Sequence, residues 1–174
     1  MRKILYLLTV LLIITFVQNS DACVGRLLYL GVTNNPHEQL LAEVMSIFIK
    51  ERTGSTVKIL LFNNSRDLYN AVKQGQVNMI IENTDHAKDI LTKPKETSVK
   101  MTYEIVKNEY RKKLNLTWFR PFGEKPLYAP VLTVETLTNY PALPRLLNKL
   151  AGVLGNQTCV KLFNTLKSGD MPKK

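Results

Sequence analysis

The mature chain is predicted to adopt an α/β fold, a parallel-type sheet with flanking helices, and three observations carry that expectation. Four short apolar runs alternate with longer segments of helical periodicity. Two of the runs, VKILLF (Val57–Phe62) and VNMII (Val77–Ile81), are apolar at successive positions, as strands covered on both faces are. The runs and helices follow one another as two β–α–β units, which implies parallel neighbours joined by right-handed crossovers.

The chain opens with MRKILYLLTVLLIITFVQNSDAC. Arg2 and Lys3 precede an apolar run from Ile4 to Val17, and Ser20 and Ala22 stand at minus three and minus one of a cleavage site. Residues 1–22 are therefore expected to be a secretory signal peptide, the apolar run being short of the roughly 20 residues of a comfortable membrane span. An uncleaved anchor is one alternative. A lipoprotein with Cys23 at its mature N-terminus is another, although Ser20 and Asp21 make a poor lipobox. Removing 22 of 174 residues leaves 152, enough for one domain with a proper core, expected over residues 23–168, and a polar, disordered tail over 169–174.

Both cysteines, Cys23 and Cys159, survive cleavage. In an oxidising compartment they are expected to form a disulfide tying the mature N-terminus to the C-terminal helices, worth roughly 4 kcal/mol by loop entropy. Two free thiols, or a lipidated Cys23, are the alternatives. His37 and His86 stand unaccompanied in the sequence, and no Cys/His spacing suits a metal, so neither metal nor cofactor is expected. The full chain carries 24 Lys and Arg against 14 Asp and Glu. The cations are scattered, and an exported chain seldom meets nucleic acid, so that partner is not expected; anionic lipid or an acidic partner fits the charge equally well.

The remaining strands are expected at Leu27–Val32 and Tyr128–Val134. Glu38–Arg52 places Leu41, Val44, Met45, Phe48 and Ile49 on one helical face and stops at Gly54 and Ser55. Ser65–Gln74 opens on a capping-type serine and closes on Gly75. After a basic loop (Leu91–Ser98), Val99–Leu114 reads as a charged amphipathic helix with Lys107, Arg111, Lys112 and Lys113 toward its C-terminus, where they suit the helix dipole. Pro141–Gly155 and Asn156–Leu166 read as two closing helices, the last capped by Asn156.

Ligands of open parallel sheets bind beyond the carboxyl ends of the strands. Three loops lie there: TNNPHEQ, NNS (Asn63, Asn64, Ser65) and ENTDH (Glu82 to His86). All are rich in neutral hydrogen-bonding groups and lead to helix starts, which favour anionic groups. Such residues are also favoured at turns and caps regardless of function. There is no Gly-rich phosphate loop and no G-x-S-x-G elbow, and Ser65 with His37 is the one conceivable nucleophile–base pair, so the chain is not expected to be an enzyme.

Six segments follow one another between Leu27 and Leu154: NNPHEQ, then Asn63-Asn64-Ser65, LYNAVKQGQVNM, ENTDHA, YEIVKNEYRKKLNLTW and NYPALPRLLNKLAGVL. In this order they resemble the substrate-binding proteins of ABC transporters that import glycine betaine, choline and carnitine. Asn35, Glu38 and Gln39 match that family's K-N-F-T-E-Q segment, and Glu82, Thr84 and Ala87 match its E-Y-T-G-T-A segment. The resemblance implies one lobe of a type II periplasmic-binding fold acting outside the cytoplasmic membrane. The family's second lobe would fall after Trp118, where this sequence runs directly to Tyr128. It also implies a ligand edge of Asn35, Gln39, Glu82, Asn83, Thr84 and Tyr128. Asn83 stands where the family has an aromatic, and Arg120 where many members have an acid, so the aromatic cage is depleted. The implied partners are a small quaternary amine and a transporter membrane subunit; a second copy of the chain at the exposed edge could rebuild a two-sided cleft. A protein–protein module that has lost its ligand is the alternative.

Overall fold

Strand β1 (Leu27–Thr33) lies inside a five-stranded sheet of order β2-β1-β3-β5-β4, with β2 at Thr56–Phe62, β3 at Met79–Asn83, β4 at Leu116–Trp118 and β5 at Tyr128–Thr133. The computed structural model describes residues 27–91, 99–123 and 126–168. β1 pairs in parallel with β2 from Leu27 opposite Thr56 to Thr33 opposite Phe62, and with β3 at Leu30 opposite Met79. β5 runs antiparallel to both of its neighbours, β3 and β4. The sheet is thus mostly parallel, with one reversed strand between β3 and β4.

Among the described residues seven helices flank it: α1 (Pro36–Thr53), α2 (Ser65–Lys73), α3 (Thr84–Leu91), α4 (Val99–Leu114), α5 (Val134–Asn139), α6 (Leu143–Val153) and α7 (Asn156–Ser168). Alternation along the strands splits the core in two. Leu28, Leu30, Val32, Met79 and Ile81 pack with Leu41 and Met45 of α1, Leu147 of α6 and Cys159 of α7. On the other face, Ile80 and Val131 pack with Leu68 and Val72 of α2, Ala87 of α3 and Tyr110 of α4. Gly31 of β1 faces α2, and a Cβ there would overlap Leu68 and crowd Val77, so the close approach of helix to strand needs glycine.

The sequence reading needs several corrections. β3 begins at Met79 and carries Glu82 and Asn83. Asn78 ahead of it is held by its side chain, which accepts from the Tyr29 N–H at 2.8 Å. The ENTDH segment is therefore the end of a strand followed directly by α3 rather than a loop. β5 stops at Thr133, whose hydroxyl caps α5 by accepting from the Thr136 N–H. Asn64, not Ser65, caps α2, its side chain accepting from the Asp67 N–H. At α7 the first carbonyl comes from Gly155, which takes the N–H groups of Thr158 and Cys159, so Asn156 is already inside the helix. β2 is the sheet's edge strand: Val57 and Ile59 pack on one core and Leu60 and Phe62 on the other, but all four are only partly buried and Leu61 is 58% exposed. Strand β4 was not legible at all: it has three residues, and it follows Asn115, whose φ of 55° turns the chain out of α4.

Candidate functional site

The carboxyl ends of β1, β2 and β3 meet at one edge of the sheet. At the β1 end, Asn35 caps α1, its Oδ1 accepting from the His37 N–H at 2.9 Å, and Pro36 occupies the first turn, where a missing N–H costs nothing. Glu38 turns inward and accepts from both the hydroxyl and the N–H of Thr33, at 2.7 and 3.3 Å. Burial pushes its carboxyl above the ordinary value, against the pull of those Thr33 donors. Gln39 donates to the Thr33 carbonyl at 3.3 Å.

At the β3 end, Glu82 is 1% exposed and has its oxygens fully engaged. Oε2 accepts from the Tyr69 hydroxyl and from the Tyr110 hydroxyl, the latter at 3.3 Å. Oε1 accepts from the Asn83 N–H at 2.8 Å and lies 2.7 Å from His86 Nδ1. The other ring nitrogen of His86, Nε2, lies 2.6 Å from Ser65 Oγ. Asn83 caps α3, accepting from the N–H groups of Asp85 and His86. The Thr84 hydroxyl accepts from the Leu127 N–H at 3.2 Å and ties α3 to the segment leading into β5.

A groove of about 170 Å³ opens among His37, Gly123, Pro126, Tyr128, Cys159, Val160 and Phe163. Phe163, from α7, stacks on His37 with ring centroids 4.1 Å apart and meets Tyr128 at 5.7 Å and 63°. Two aromatic faces thus form a corner. Burial raises the Tyr128 hydroxyl above its ordinary value, with the charges of Glu38 and Asp85 adding to the rise and a hydrogen bond with Asn35 opposing it. A larger hollow of about 320 Å³ lies elsewhere, near the amino ends of β3 and β4, away from the three motif-bearing segments.

Of the six residues expected at a ligand edge, Tyr128 lines the groove at 5% exposure, while the side chains of Asn35 and Gln39 are engaged at the start of α1 and on the Thr33 carbonyl. Glu82, Asn83 and Thr84 are 1%, 7% and 2% exposed, and their polar atoms are occupied by the fold. His37 does not reach Ser65; it belongs to the aromatic corner, and His86 holds the serine. Sequence reasoning missed His86, Tyr69, Tyr110 and Phe163. Only the first carried a local signal, the four-residue spacing from Glu82 to His86. Cys159 is a buried thiol donating to the Leu154 carbonyl at 3.3 Å; Cys23, its expected disulfide partner, lies outside the described residues, as do residues 1–22 and the 169–174 tail.

The site makes stability depend on pH. The hydrogen bond to Glu82 raises His86 above its ordinary value against the opposing effect of burial, and the charges of Glu82, Glu38 and Asp89 add to the rise. Both His86 and Glu38 hold a proton more tightly folded than unfolded. Their stabilisation is complete below the unfolded values of 6.5 and 4.5 and is lost as pH rises through the folded ones. Urea midpoints are expected to fall from roughly pH 5 to pH 8, each group contributing a slope of at most about 1.4 kcal/mol per pH unit. The fall should be shallower in His86→Gln.

No curated protein matches this chain by sequence. Apo YehZ from Escherichia coli aligns over 55% of the chain and 35% of its own length, with 15% identity and a TM-score of 0.47. A crystal structure described as a glycine betaine/carnitine/choline ABC transporter aligns over 84% of this chain and 93% of that one, with 12% identity and a TM-score of 0.71; the fold is that of a periplasmic-binding protein. The family described as the substrate binding domain of ABC-type glycine betaine transport systems matches residues 27–146, which hold all five strands. The chain therefore belongs to the family of substrate-binding domains of ABC-type glycine betaine transport systems.

Proposed function

We propose that the chain is an exported, single-lobe solute-binding protein that captures a small quaternary amine and passes it to the membrane subunit of an ABC transporter. The observation that carries this reading is the corner that the rings of Tyr128 and Phe163 form beside His37. A cation without hydrogen-bond donors is held by aromatic ring faces, which the corner offers. His37 lines the groove, and Asn35 and Gln39 on the same helix start are the groups that would meet a ligand's polar end. Glu82, Asn83 and Thr84 act as its support, fixing α3 and the approach to β5 from below.

Membership of the glycine betaine family supports the ligand class, and the near-complete coverage of the solved chain supports a functional unit of this size. Among the described residues no helix is long and apolar enough to cross a membrane, so the family's role outside the cytoplasmic membrane rests on the export signal expected at residues 1–22. A second copy facing the open rim would complete a two-sided cleft.

The test is isothermal titration of the purified chain with glycine betaine, choline and carnitine. A saturable heat for at least one is expected, at micromolar to millimolar dissociation constants, because a one-sided groove buries less of a ligand than the 70–90% usual for tight sites. Three flat titrations would overturn the reading in favour of a protein–protein module. Native mass spectrometry of the same samples reads whether binding comes with dimer formation.

A further inference from the structure

None of the residues hydrogen-bonded in series from Ser65 to Glu82 lines the groove, and their order is chemically specific. A hydroxyl on α2, an imidazole on α3 and a carboxylate on β3 stand in series, with Ser65 Oγ 2.6 Å from His86 Nε2 and His86 Nδ1 2.7 Å from Glu82 Oε1. Tyr69, Tyr110 and the Asn83 N–H fix the carboxylate, so it cannot swing away from the ring. With Nδ1–H donated to Glu82, the neutral imidazole turns its Nε2 lone pair toward the serine hydroxyl, the tautomer a general base requires. Ser65 and His86 are half-exposed at the open edge of the sheet, while Glu82 is buried.

The start of α2 adds an electrophilic element. The N–H of Asp67 is taken by the Asn64 side chain and that of Leu68 by the Asn64 carbonyl. The N–H groups of Ser65 and Arg66 complete this first turn at the positive end of the helix that carries the serine.

We propose that Ser65 is a nucleophile activated by His86, with Glu82 as the positioning residue, and that it takes the acyl group of small carboxylic esters. Ser65 Oγ bonds to the ester carbonyl carbon as its proton passes to His86 Nε2, and the carbonyl π pair moves onto oxygen, facing the Ser65 and Arg66 N–H groups. Collapse of this adduct breaks the bond to the alkoxy group, which leaves as the alcohol with the proton from His86. Water then attacks the acyl-serine, giving its proton to His86. The second collapse restores the Ser65 hydroxyl with that proton and releases the carboxylic acid. The site is separate from the groove at Tyr128 and Phe163, so it stands or falls independently of solute binding.

The test treats the full chain with a fluorophosphonate and maps the adduct by peptide mass spectrometry, since the many lysines also react with activated esters. Single labelling at Ser65 is expected, about 100-fold slower in His86→Gln, the scale of general-base assistance. p-Nitrophenyl acetate should be hydrolysed with turnover by the wild-type chain and not by Ser65→Ala. Labelling confined to lysines, or labelling of Ser65 at equal rates in wild type and His86→Gln, would overturn the proposal and leave the array as a structural tie between α2 and α3. Should His86→Gln fail to fold, the wild-type pH profile decides. The ring faces the carboxylates of Glu82, Glu38 and Asp89, so a rate rising through one ionisation and reaching a plateau supports the proposal. A rate first order in hydroxide throughout overturns it.

Discussion

Glu82→Ala is expected to destabilise the chain by about 3–5 kcal/mol, the cost of removing one member of a buried charged network. The loss is not that of a single contact. The Tyr69 hydroxyl, a backbone N–H and an imidazole lose their acceptor at once, in a place where water does not replace it, and Tyr110 is left with only the Tyr69 oxygen, 2.7 Å away. Burial and the Glu82 charge hold both Tyr69 and Tyr110 well above the ordinary tyrosine value, so they are obligate donors at any accessible pH. Each therefore demands an oxygen. Glu82→Gln keeps one oxygen but turns an NH₂ group toward donors, and a smaller loss of about 1–3 kcal/mol is expected. Urea denaturation of both variants measures this. A Glu82→Ala chain within 1 kcal/mol of wild type would mean that the network is not a support of the fold.

This network also marks where sequence reasoning stopped. The parallel strands β1 and β2, the Asn35–Pro36 start of α1 and its glycine stop at Gly54, in the left-handed conformation, rest on local chemistry that a sequence displays. Local rules fail where a residue's partner is distant. Tyr69 and Tyr110 reach Glu82 across 13 and 28 positions, and nothing in their own segments distinguishes them from core aromatics on helices. His86 was within reach: its ring lies one helical turn beyond Glu82. Because Asn83, Thr84 and Asp85 favour turns, the segment read as a loop, and in a loop a four-residue spacing implies no adjacency. The same preference hid α3, whose cap is Asn83 itself. The groove was half legible. Tyr128 came from the family resemblance, whereas Phe163 sits on the last helix and touches His37 only because α7 folds back over the start of α1.

That contact makes Phe163 the most informative residue for solute binding. It stacks on His37 at an interplanar angle of 28° and sets its ring at 63° to Tyr128, so the corner exists only while α7 is docked. A desolvated cation against one aromatic face gains about 1–2 kcal/mol, so Phe163→Ala is expected to weaken quaternary-amine binding about tenfold. Alanine also removes packing from the Tyr128–Cys159 side of the core. Phe163→Leu separates the two effects, because leucine retains most of the apolar contact but has no π face. A cage wall predicts the same tenfold loss in Phe163→Leu with a nearly unchanged unfolding midpoint. A plug predicts the reverse: if Phe163 occupies the place of the ligand, Phe163→Ala enlarges the groove and binding tightens. Titration of choline and glycine betaine into both variants distinguishes wall from plug, and tighter binding in Phe163→Ala would overturn the assignment of Phe163 to the ligand corner.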